Sequence, residues 1–219
     1  SYEAGVFDLV FSESSLSSTC EVLYWLLPAV GKTACKNKSI TGRKGFPDET
    51  RDSLYVGMMT DTNNFSNSVV ASTFMMASDL LEMGVDKERL QHLVFGGFSA
   101  NRMRLMGHLL LNRMVLIPEY QAGYILLSAI EQKQFGFTEG DSEGFVNMPL
   151  NVRGINISAL FTENESHIRV SLRSLNDFSV NALAKRFYNG GGHEKAAGGK
   201  LYMPLEDVPE YFKESLIKS

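Results

Sequence analysis

The sequence predicts an α/β protein in two parts, an α-rich first part joined by a helical connector to a smaller mixed α/β second part. Three patterns carry that expectation. Helical runs fill residues 49–114, β-branched runs replace them from Val115, and helical runs return after residue 172. With 219 residues and 44% hydrophobic content, the chain can bury one large core or two small ones.

Residues 6–11 read as a buried strand that runs into the polar turn Ser12-Glu13-Ser14-Ser15. Ser18-Thr19-Cys20-Glu21 is a capping box ahead of an apolar run, and Pro28 is expected to stop that helix. An opening strand with no earlier partner suggests a sheet whose first members lie upstream. Residues 31–48, rich in Gly, Lys, Thr and Asn, are expected to form an exposed loop. Helices are then expected over 49–60, 66–83, 87–95 and 100–114, with Gly84 and Gly96-Gly97 as stops. Strands at 115–117 and 123–127 should be joined by a short polar turn. A second hairpin should pair 155–161 with 168–172 around Glu163-Asn164-Glu165. Helices over 180–187 and 206–217 follow. These changes place a domain boundary near residue 115, giving domains 1–115 and 116–219 with the helix before the boundary as connector.

Charged residues make up 21% of the chain, and no apolar stretch approaches the roughly 18–20 residues that span a bilayer. No signal peptide is evident at either end, so a soluble cytoplasmic protein without a membrane partner is expected. Cys20 and Cys35 lack CxxC spacing and a nearby histidine, and read as two reduced thiols. A net charge of −4 argues against a protein that coats long duplexes. It leaves room for a pocket that holds a small phosphorylated ligand through local donors.

The most informative stretch is Asn189-Gly190-Gly191-Gly192-His193-Glu194-Lys195-Ala196-Ala197-Gly198-Gly199. Three successive glycines can leave N–H groups uncovered for an anion, with His193 as a further donor at the rim. A plain flexible turn is the alternative on the glycines alone. Along 168–174, alternation puts Arg169, Ser171 and Arg173 on one strand face and Ile168, Val170 and Leu172 on the other. The basic face could present an arginine fork to phosphate or be merely solvated. Asp61, in Thr60-Asp61-Thr62, could be a hard oxygen ligand or the cap of the next turn. His92 and His108 sit on apolar helical runs without a partner set and read as core or surface residues.

The stretch 190–199 resembles the GGGHxxAAG signature of the DHH-associated domain, the substrate-binding half of the DHH phosphoesterases. Ile168 to Ser174 resembles the strand of that family ending in S-x-R-S, and Tyr55 to Thr62 its small-residue helix ending in Thr-Asp-Thr. Ser17-Ser18-Thr19 and Gly140 to Asn147 resemble further family segments, the latter with no chemistry inferred. The resemblance implies that Arg173, Ser174, Gly190, Gly191, Gly192 and His193 bind substrate. It makes Asp61 a catalytic residue and a ligand of a two-metal Mn²⁺ or Mg²⁺ site. The fold it implies is the C-terminal part of a DHH-type α/β domain, a connector helix, and a smaller mixed α/β domain. The branch it favours hydrolyses short single-stranded RNA and 3′-phosphoadenosine 5′-phosphate (pAp). A cyclic-dinucleotide phosphodiesterase, a single-strand exonuclease, and a non-catalytic nucleic-acid-binding or regulatory module are the alternatives, and homodimerisation is an open expectation.

The family's early histidine with Asp-x-Asp, and its Asp-His-His motif, have no counterpart in this sequence. Motif order would place them ahead of Ser1. The sequence is therefore expected to be part of a longer enzyme and inactive alone, since a two-ion centre needs more than one carboxylate.

Overall fold

The structure is a computed structural model that describes residues 10–34 and 46–219, the side chains of 29–34 excepted. The chain divides into two compact units, residues 1–97 and 98–219. The division thus falls well before the expected residue 115.

The described part of the first unit is helical: α1 (Thr19–Ala34), α2 (Asp48–Asp61), α3 (Ala71–Glu82) and α4 (Lys87–Phe95). Leu54, Tyr55, Met58 and Met59 recur along one face of α2 and are buried with Tyr24, Met76 and Leu80. Glu21 ties α1 to α3. Buried itself, it accepts hydrogen bonds from the Ser17 amide (3.0 Å) and from the hydroxyls of Ser17, Ser72 and Thr73. Burial alone would raise its pKa, but these four donors hold it below the usual carboxylate value.

Several expectations shift here. Ser18 caps α1 by accepting the Glu21 amide, but Glu21 reaches back to Ser17 instead of closing a box on Ser18. Pro28 lies inside α1, which continues to Ala34. Proline removes one donor from the ladder without forcing the helix to end there. The expected 66–83 helix starts five residues late because Asn63, Asn64, Phe65 and Ser68 all take left-handed φ values of 46–66°. The strand expected at 6–11 lies, except for its last two residues, outside the described residues. So does most of the 31–48 loop, Cys35 included.

The second unit opens with α5 (Ala100–Asn112) and then β1 (Met114–Ile117), β2 (Ala122–Leu127), α6 (Ala129–Gln134), β3 (Ile157–Glu163) and β4 (Ile168–Ser174). It closes with α7 (Val180–Phe187), β5 (Gly191–His193), β6 (Ala196–Leu201) and α8 (Val208–Ile217). One six-stranded mixed sheet runs β1-β2-β3-β4-β6-β5, with β2 and β3 parallel and every other pair antiparallel.

The sheet carries a core on each face. Tyr124, Phe161, Val170 and Leu172 pack with Val180 and Leu183 of α7 and Phe212 of α8. Phe161 and Phe212 meet edge to face at 5.6 Å, and burying each stabilises the fold by up to roughly 3 kcal/mol. On the other face Ile125, Leu127 and Leu160 pack with Leu105 and Leu109 of α5 and with Phe145 and Val146. This packing makes the helix expected as a connector part of the second unit, which is why the division precedes it.

The second core lies over β2 and β3, with Met114 of β1 packed against it. Val146 belongs to a 3₁₀ helix over Phe145–Asn151, whose Val146 carbonyl accepts the Ser158 hydroxyl of β3. The same sheet face over β4 and β6 is left to Arg169, Ser171, Arg173 and Gly198.

Candidate functional site

The alternation along β4 is as expected: Ile168, Val170, Leu172 and Ser174 are buried, while Arg169, Ser171 and Arg173 are more accessible. A cavity of about 260 Å³ forms over these three residues. Gly198 and Gly199 of β6 border it on one side, and Ser142, Glu143 and Gly144 of the β2–β3 connection on the other. Ser171 is in register with Gly198, so small side chains form the floor between the arginines.

The wall is fastened from two directions. Arg102 of α5, almost wholly buried and stacked 3.6 Å from the Phe98 ring centroid, donates to the Glu143 carbonyl at 2.7 Å. Arg169 donates to the Ser142 hydroxyl at 3.1 Å, which steadies its guanidinium over the cavity. Arg173 donates to the Leu172 carbonyl at 2.9 Å. Two cations on a floor of hydroxyl and glycine suit an anionic ligand, for which arginine offers paired donors.

The glycine stretch is not a loop but the β5–β6 hairpin. Two of its three successive amides are already engaged: Gly190 donates to the Ala184 carbonyl and Gly192 to Asn181 Oδ1 at 3.1 Å. The expected anion cradle of uncovered N–H groups is corrected accordingly. The glycines serve close approach instead. A methyl at Gly190 would strike the Gly198 carbonyl, and one at Gly192, whose φ is +155°, would sit 2.6 Å from the Ala196 carbonyl. Gly191 pairs in register with Gly198 at the border of the cavity.

His193 is exposed and pairs with Ala196, itself opposite Arg173, so it lies two strands from the arginine, about 10 Å. Ser174 is turned away. It is buried on the opposite face, and its hydroxyl donates to the Phe178 carbonyl at 2.8 Å, because alternation separates it from Arg173.

Asp61 ends α2 and is exposed. Its flanking hydroxyls do not orient it: Thr60 donates to the Val56 and Gly57 carbonyls and Thr62 to Met58. Asn63, the next residue but one, takes a positive φ of +46°, which asparagine tolerates. Cys20 lies close by, its thiol pKa pushed up by burial and then by the Asp61 charge. Among the described residues, no cluster of three or more His, Cys, Asp or Glu could hold a metal ion. Asp61 by itself does not fit a two-ion centre.

The sequence by itself points to no chemistry at Ser142, Glu143 and Gly144, although 140–147 resembles a segment of the family. No local signal reveals that Arg102 fixes this segment, because the pair is 41 residues apart.

Among the described residues, half of one face of the mixed sheet is thus lined by arginine, serine and glycine. Residues 122–216 match the DHHA1 domain. The probable bifunctional oligoribonuclease and PAP phosphatase NrnA of Streptococcus mutans is 31% identical over 75% of this chain and 52% of its own length. The Bacillus subtilis bifunctional oligoribonuclease and PAP phosphatase NrnA is 27% identical over 89% of this chain and 58% of its own. The crystal structure of an exopolyphosphatase-related protein from Bacteroides fragilis superposes with a TM-score of 0.89 at 34% identity, covering 99% of this chain and 61% of that one. The second unit thus carries a DHHA1 domain, and most of the chain is similar to these NrnA proteins. It spans about half the length of the curated relatives it matches. No helix among the described residues is long and apolar enough to cross a membrane.

Proposed function

We propose that this chain is the substrate-binding part of a cytoplasmic, Mn²⁺- or Mg²⁺-dependent phosphoesterase that hydrolyses short oligoribonucleotides and pAp. The observation that carries the proposal is the cavity on the open face of β4, where Arg169, Ser171 and Arg173 converge beside Gly198. Arg173 binds the ligand's terminal phosphate and His193 assists from the neighbouring hairpin. The glycines act by letting the ligand and the strands approach, not by donating their amides. Asp61 is one metal ligand of the complete enzyme. The chain alone binds without turning over, since its described residues do not complete a two-ion centre.

Calorimetric titration of pAp into the chain, with and without Mn²⁺, tests this. Binding is expected to be indifferent to Mn²⁺ and to weaken about tenfold or more in Arg173→Ala, the loss of a charge-assisted hydrogen bond. His193→Ala should weaken it less. Absence of binding, or an Arg173→Ala variant that binds like the parent, would overturn the proposal. Mn²⁺-dependent turnover by the pure chain would refute its inactivity.

A further inference from the structure

Arg169 borders two cavities. One is the Arg173 cavity; the other, of about 340 Å³, is lined by Phe137, Glu139, Gly140, Thr162, Asn164 and Arg169 itself. They follow one another along the open face of the sheet, since Arg169 and Arg173 stand about 13 Å apart along β4.

Thr162 of β3 distinguishes the second cavity. It is 3% exposed, stands in register with Arg169, and its hydroxyl has no hydrogen-bond partner among the described residues. A buried hydroxyl left unpaired disfavours the fold relative to an apolar group of the same shape. A ligand that supplies the partner removes that cost. The remaining walls say which ligand. Phe137 offers an aromatic surface, Asn164 an amide and Glu139 a carboxylate. The carboxylate repels phosphate and accepts from hydroxyl or amino groups, so the cavity suits a neutral group with a flat apolar face and polar edges. A nucleoside has that chemistry, and Arg169, braced on Ser142, stands where its linking phosphate would lie.

We infer that this second cavity is the subsite for the second nucleoside of a short oligoribonucleotide. The inference rests on the function proposed above and separates its two ligand classes. The compact pAp occupies the Arg173 cavity alone, whereas a dinucleotide occupies both cavities with its linking phosphate at Arg169.

The test is calorimetric titration of pAp and of the 5′-phosphorylated diadenylate pApA, in EDTA, into the chain and into its Thr162→Val and Glu139→Gln variants. Each variant is expected to bind pApA about fivefold more weakly, the loss of one hydrogen bond, and to bind pAp unchanged. Thr162→Val should also melt no lower than the parent. Glu139 is exposed, so Glu139→Gln keeps the test decisive should Thr162→Val fold poorly. Unchanged pApA affinity in both variants, or an equal loss for pAp and pApA, would overturn the subsite. Failure of the parent to bind pAp while pApA binds and responds to the variants would sink the Arg173 assignment and leave the subsite standing. Failure to bind either ligand overturns both.

Discussion

Glu131 shows what a single carboxylate contributes. It is buried, and its oxygens accept from His108 Nε2 (2.8 Å), Arg113 Nε (2.5 Å), and the amide (3.0 Å) and hydroxyl (2.7 Å) of Ser128. Burial opposes ionisation, but these partners prevail and lower its pKa from 4.5 to about 2. A folded-state pKa below the unfolded one stabilises the fold above pH 4.5, and that contribution is lost as pH falls toward 2. The shift corresponds to roughly 3 kcal/mol. Acid-induced unfolding of Glu131→Gln should therefore depend less on pH between 4.5 and 2 than that of the parent, and equal slopes would refute this role. The local half of the arrangement is legible as Ser128-Ala129-Ile130-Glu131, a capping box that sequence reasoning passed over. The distant half is not. His108 read as a bland core or surface residue because its partner is 23 positions away.

At the scale of elements, local patterns gave the bounds of α4 and α7, whose apolar spacing and caps agree. They failed where backbone conformation departs from residue preference, as at Phe65, whose φ of 66° is unusual for an aromatic residue. The β5–β6 hairpin was visible in composition but not in role. Its glycines suggested free amides, whereas α7 occupies two of them and the missing side chains let backbone meet backbone. A methyl at Gly190 would run into the Gly198 carbonyl and the Gly199 Cα, neither of which can rotate away. Gly190→Ala is therefore expected to destabilise the protein by about 2 kcal/mol or more in urea unfolding. A variant as stable as the parent would show that the hairpin yields.

At the scale of the molecule, the sequence announced an α-rich first part and a mixed second part, but placed their boundary by secondary-structure type. The structure places it by burial. Leu105 and Leu109 of α5 complete the second face of the sheet, so residues 98–219 contain both of that unit's cores. A chain of residues 98–219 is expected to unfold cooperatively on heating and to bind pAp as tightly as the whole chain. One starting at residue 116, without α5, should not. Calorimetry on the two lengths checks this, and equal behaviour would remove α5 from the domain.

The parallel pairing of β2 and β3 carries its own consequence. Parallel neighbours cannot be joined by a tight turn, so the chain must leave the sheet after Leu127 and return at Ile157. Topology obliges this excursion to be long; Phe135, Phe137 and Met148 pack beside Phe145 and Val146 in the core, and none of residues 138–144 belongs to it. The stretch from Phe137 to Gly144 borders both cavities. On the function proposed above, ligand preference is set largely by this connection, which the parallel pairing requires whatever the ligand. Proteins sharing this sheet can diverge there in what they admit while keeping the same arginine strand beneath.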